Sequence, residues 1–196
     1  MGLGRGGGTG RRSELKIRWS VRAVGVRFPP SAPEVEAHSS TEAIKVETLK
    51  VVRKTFTMLS EKRTQVLDIT KQIRDIVLGA DIKEGIILVN SLHTTCALFV
   101  NEFQGALVED LKTMMDRLVA DGAGYKHDDP RFSDCERGNA SSHLRAALLG
   151  RSVAVGISGG ELSLGRFQSI LFAELDGPRP RSIDIQIMGV GPVSGN

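Results

Sequence analysis

Eight short runs of β-branched and aliphatic residues follow one another between residues 50 and 189, and they constrain the fold more than any other feature. They fall at 50–59, 64–69, 85–90, 96–100, 152–157, 161–164, 168–175 and 181–189. Runs of this length and composition are strands rather than helices. GIILVN at 85–90 is apolar throughout and reads as a buried strand. IDIQIMG sets Ile183, Ile185 and Ile187 against polar neighbours, the pattern of a half-buried strand. Gly159-Gly160 marks a hairpin, and Asp176-Gly177-Pro178 marks a turn. A charged turn at 60–63 predicts that the first two runs form an antiparallel hairpin.

Helical periodicity appears in three places. Between 104 and 120, Leu107, Leu111, Met114 and Leu118 recur at helical spacing with charged residues on the other faces, which predicts that these four face the core. A shorter helix begins after a cap at Asp68 or Thr70, lines up Ile73, Ile76 and Val77, and closes at Gly79. A third covers 139–149, with Gly138 or Asn139 at its start and Gly150 at its end. A long polar loop, 121–138, joins the last two. The sum is an α+β domain with a mainly antiparallel sheet and two or three helices.

Charge divides the chain. The first 33 residues hold seven arginines and lysines against one acid, Glu14, a net +6, so in a chain of net charge +3 the remainder carries −3. Residues 1–44 are rich in Gly, Arg and Pro without amphipathic period, which predicts disorder. They are either an organelle targeting segment or a spurious extension upstream of the true start. The domain spans 45–191, followed by a short tail at 192–196. The acidic body argues against nucleic-acid binding. No apolar run reaches the roughly 18–20 residues of a membrane helix. Cys96 and Cys135 make neither a metal-binding pair nor a disulfide framework. Together these features predict a soluble, cytoplasmic protein, or an organellar one if the leader is genuine.

The residues offer chemistry without declaring it. His93, His127 and His143 lie in the body, none at metal-ligand spacing from another. Thr94 and Thr95 follow His93, and strand alternation puts Thr95 on the face of His93. Asp128 follows His127 and is placed to orient it, although a solvated loop accounts for it equally. Asn139 and Ser142 at a helix start are candidate phosphate contacts, and ordinary capping explains them as well. Arg145, Arg166, Arg179 and Arg181 are candidate anion ligands or plain solvated charges. Acidic neighbours disfavour a reactive Cys135 thiolate.

Four blocks then point to a family. HTTCALFVNE from His93, YKHD at 125–128, SHLRAALLG at 142–150 and SGGELSLGRFQSILFAELDGPRPR from Ser158 resemble, in order, the motifs of the YjbQ-like family, also called the secondary thiamine-phosphate synthase family. The chain departs from the family pattern at Arg166-Phe167, where the family has Thr-Trp, and at Phe103-Gln104, where it tends to Asp-Pro. The resemblance implies a homotrimer of α+β subunits with a pocket gathering His93, His127 and His143. It implies thiamine-phosphate synthase activity of transferase type, joining a pyrimidine pyrophosphate to a thiazole phosphate. On that footing the three histidines converge on one divalent ion, zinc or magnesium, or on one phosphate. Glu174 is then a fourth ligand or general base, and a small phosphorylated molecule meets Thr94, Thr95, Asn139, Ser142, Arg145 and Gln168. The alternative is a non-catalytic homotrimer that binds a metal or a phosphate ligand.

Overall fold

The computed structural model describes residues 49–191. The expectations for residues 1–44 and 192–196 lie outside the described residues. In chain order the elements are β1 (Leu49–Leu59), β2 (Gln65–Asp68), α1 (Thr70–Leu78), β3 (Glu84–Ser91), β4 (Cys96–Asn101) and α2 (Gly105–Leu118). A single 3-10 turn at Lys126–Asp128 leads to α3 (Ala140–Leu149). Then come β5 (Ser152–Ser158), β6 (Glu161–Leu162), β7 (Ser169–Glu174) and β8 (Pro180–Val190).

The strands form two antiparallel sheets rather than one. The larger runs β1-β8-β3-β5-β6 and the smaller β2-β7-β4. The expected hairpin between the first two strands does not form. β1 pairs with β8 and β2 with β7, so the charged turn at 60–63 carries the chain from one sheet to the other. The Gly159-Gly160 hairpin does form, with φ of +59° and +86°, values that glycine adopts without strain.

Burial follows the patterns. Ile183, Ile185 and Ile187 of β8 are fully buried on the inner face of the larger sheet, against α1 and one face of the smaller sheet. The smaller sheet is covered on both sides, which explains why SILFAE in β7 shows no alternation: Ile170 and Phe172 face the main core, while Leu171 and Ala173 meet the helices. The outer face of the larger sheet is uncovered among the described residues.

Helix α2 takes a different face from the expected one. Met115 and Val119 are buried and Val108 and Leu111 pack with them against Phe99, whereas Met114 and Leu118 are exposed, Leu118 at 67%. Both stripes satisfy helical spacing and they share Leu111. The sheet beneath decides between them, because Phe99, Leu171 and Ala173 pack with the second stripe. The Gln104 side chain caps the helix by accepting from the Leu107 amide at 2.8 Å.

Candidate functional site

The long loop is stapled to α3, and this brings two distant histidines together. Asp128 Oδ1 accepts from the Ala140 amide at 2.8 Å, so it is the cap of α3. No hydrogen bond joins it to the His127 ring, the orienting role expected of it. Asn139, the expected cap, makes no side-chain capping bond. At the other end of the loop, Asp121 accepts from the Ser141 hydroxyl and lies 3.3 Å from Arg145. With both ends held, His127 on the 3-10 turn meets His143 on α3 edge to face, ring centroids 5.0 Å apart at 83°. Burial, and then the charge of His127, hold the His143 pKa below the ordinary histidine value, against opposition from Asp176 and Asp128.

His93 sits in the turn after β3, not on the strand. Its Nε2 accepts from the Ser182 amide at 2.8 Å. That bond occupies one ring nitrogen and assigns the proton of the neutral ring to Nδ1. Burial and the nearby Arg181 lower its pKa, with Glu174 acting the other way. The three histidines line one basin of about 390 Å³ with Thr94, Thr95, Cys135, Asn139 and Asp176. Arg137, Arg179 and Arg181 complete it. Asp176 takes the Asn139 amide at 2.9 Å, Arg179 at 2.9 Å and Arg137 at 3.8 Å.

Glu174 lies beneath this basin in another role than the one expected. It is fully buried, and Arg181 donates to its two oxygens at 2.6 Å each. The Ser60 hydroxyl and the Asp176 amide donate to it as well. A carboxylate so filled is neither a general base nor a metal ligand. Gly177 makes room for it, because a Cβ there would stand 2.7 Å from Glu174 Cγ. Thr95 is buried and its hydroxyl accepts from Arg181 at 3.1 Å, so it positions the arginine. The Cys96 thiol, beside the same carboxylate, is pushed up to about 12, by burial first and Glu174 next.

Several expected phosphate contacts are structural instead. Arg145 is buried, donates to the Val119 carbonyl at 3.0 and 2.7 Å and lies 3.0 Å from Asp116, tying α3 to α2. The Ser142 hydroxyl donates to the Leu175 carbonyl. Gln168 closes a turn by accepting from the Gly165 amide at 2.7 Å and lines none of the histidine cavities. Thr94 and Asn139 do line the basin. Arg137 and Asp176 were not singled out from sequence. Each is one charge among many in a polar stretch, and the ELDGPRPR run was the available hint for Asp176.

The three-histidine metal centre is not formed. Among the described residues no group of three or more His, Cys, Asp or Glu side chains is disposed to hold a metal ion. His93 has spent Nε2 on Ser182 and Glu174 is saturated by Arg181, so the donor set fits neither zinc nor magnesium held by these residues.

A family model described as UPF0047 protein YjbQ-like matches residues 54–190. A UPF0047 protein of Archaeoglobus fulgidus is 43% identical over 132 residues, covering 67% of this chain and 98% of that one. The UPF0047 protein YugU of Bacillus subtilis is 32% identical, covering 69% and 98%. A crystal structure from Sulfolobus solfataricus, described as a YbjQ-like protein of unknown function, superposes with a TM-score of 0.68 at 33% identity over 72% of this chain and 99% of that one. None of these descriptions carries an activity, so the expected metal-assisted thiamine-phosphate synthesis is not supported, and neither is the metal-binding form of its alternative. What the match over most of the domain and the shared α+β fold do establish is that the chain belongs to the UPF0047 YjbQ-like family.

Proposed function

We propose that this chain is an enzyme whose histidines carry out acid–base chemistry on a small phosphorylated molecule held by the arginines of the basin. The observation that carries the reading is the convergence of His93, His127 and His143 with Arg137 and Arg179 on one concave surface. Arg137 and Arg179 share one wall carboxylate, Asp176, which leaves an excess of one positive charge, while Arg181 is neutralised by the buried Glu174. Arginine presents planar donor pairs that match phosphate oxygens. His143, held below its ordinary pKa, is largely uncharged at neutral pH and able to accept a proton. His93 offers Nδ1–H as a fixed hydrogen-bond donor.

Calorimetric titration with inorganic phosphate tests the binding half. Arg179→Gln is expected to weaken it about tenfold, the scale of a lost charge-assisted bond. Turnover of a panel of phosphomonoesters tests the catalytic half, with His143→Gln lowering kcat by about 10²–10⁴ and leaving KM nearly unchanged. Phosphate that ignores the native protein, or binds the Arg179 variant equally, sinks the reading.

Copies of the chain are also proposed to assemble as a homotrimer, the number the family resemblance implies. The uncovered face of the larger sheet supports association. Val51 lies opposite Met188 and Met188 opposite Ile86 in register, with Leu88 next along β3, and all four are at least 40% exposed. An apolar sheet face of this kind marks an interaction site.

A further inference from the structure

The cavities around the histidines limit what the phosphate can be attached to, on the footing that the basin is an anion site. The basin shares Leu92, His93, Thr94 and His143 with a second cavity of about 590 Å³. The two compartments differ in character. The basin has two arginines whose guanidinium groups reach it, Arg137 and Arg179. The second has no carboxylate and one arginine, Arg151, and beyond the shared residues its wall is made by Ser91, Cys96, Ala146, Ala147 and Gly150. Along the last turns of α3 the side chains facing this space are thus methyl groups or hydrogen. A Cβ added at Gly150 would meet nothing within 4 Å, so the volume is open there. Cys96 is buried and uncharged at physiological pH, an apolar surface rather than a nucleophile.

We propose that the site takes a phosphomonoester with a compact apolar body. The phosphate lies against Arg137 and Arg179, the body lies against Ala146, Ala147 and Gly150, and the ester oxygen lies at the shared wall between His93 and His143. A third cavity of about 350 Å³, beside Tyr125 and Leu144, also reaches the histidines, but shares only His127 and His143 with the basin. The second cavity shares twice as many residues and is the larger, which assigns the body to it.

The test compares inorganic phosphate with phenyl phosphate on the full chain by calorimetry. Phenyl phosphate is expected to bind about tenfold tighter, as burial of one face of a ring against apolar wall would give. Ala147→Leu, a substitution at an exposed helical position with a good helix former, is expected to bring that ratio to about one while inorganic phosphate binds as before. Unchanged phosphate binding also reports that the variant is folded. Ala147→Ser, which keeps the volume, is expected to keep the ratio, and so is Tyr125→Ala. Equal affinities in the native protein overturn the proposal, as does a ratio that survives Ala147→Leu. Loss of the ratio in Tyr125→Ala instead puts the body in the third cavity and also overturns it. If inorganic phosphate itself does not bind, the anion site falls and this inference falls with it; if phosphate binds and the phenyl group adds nothing, only this inference falls.

Discussion

Arg181 and Glu174, seven residues apart across the β7–β8 turn, form a two-bond ion pair at 2.6 Å and 2.6 Å from which solvent is excluded on both sides. The pair sits under the histidine basin, and Thr95, Ser60 and the Asp176 amide complete its hydrogen bonding. Removing one partner strands a buried charge, so Glu174→Ala is expected to cost about 3–5 kcal/mol in urea denaturation. The double variant Glu174→Leu with Arg181→Met is expected to lose less than Glu174→Ala alone. A Glu174→Ala protein within about 1 kcal/mol of native would mean that the pair contributes little.

His93 and His143 both have folded pKa values lowered from the ordinary 6.5. The unfolded chain then binds more protons than the folded one as pH drops through this range. The sign follows: their contribution to stability is fully present above about 6.5 and is lost as pH falls below it through the folded values. Melting temperature is expected to fall between pH 7 and pH 5, and the slope to flatten in His93→Gln. A melting temperature that rises over that interval would contradict the assignment.

Asp128 caps α3 from the far side of the loop, so Asp128→Ala is expected to cost about 0.5–2 kcal/mol. It should also release His127 from His143. Imidazole NMR reads this directly: the His143 ring-proton shifts are expected to move as the edge-to-face ring of His127 withdraws. An unmoved His143 in a destabilised variant would separate the cap from the histidine contact.

The apolar outer face of the larger sheet tests the assembly. Met188→Glu places a charge in the row Val51–Met188–Ile86 without touching the core, since Met188 points outward. Light scattering is expected to give about three subunit masses for the native chain and one for the variant. A native monomer, or a variant trimer, would count against this face.

The strands were legible because each sheet face writes its own period. The three buried isoleucines of β8 alternate in sequence as they alternate in space. Pairing was not legible, since strand composition says nothing of partners, and the first two strands joined different sheets. The phase of α2 was not legible either. Leu107, Leu111, Met114 and Leu118 form one valid stripe and Val108, Leu111, Met115 and Val119 another, and only the sheet beneath selects.

At the site the sequence by itself determined which imidazoles exist and, through four ordered motifs, the family to which they belong. It did not determine their use. Glu174, Arg145 and Ser142 carry the groups of catalysis or phosphate binding, and each is consumed by a buried partner. Conversely Arg137 and Asp176, inconspicuous in the chain, stand at the basin wall. A side chain's chemistry is fixed by its type, but its availability depends on whether folding has filled its hydrogen-bonding valences. That is decided by contacts between residues up to 114 positions apart, such as Ser60 and Glu174, and therefore by the tertiary structure alone.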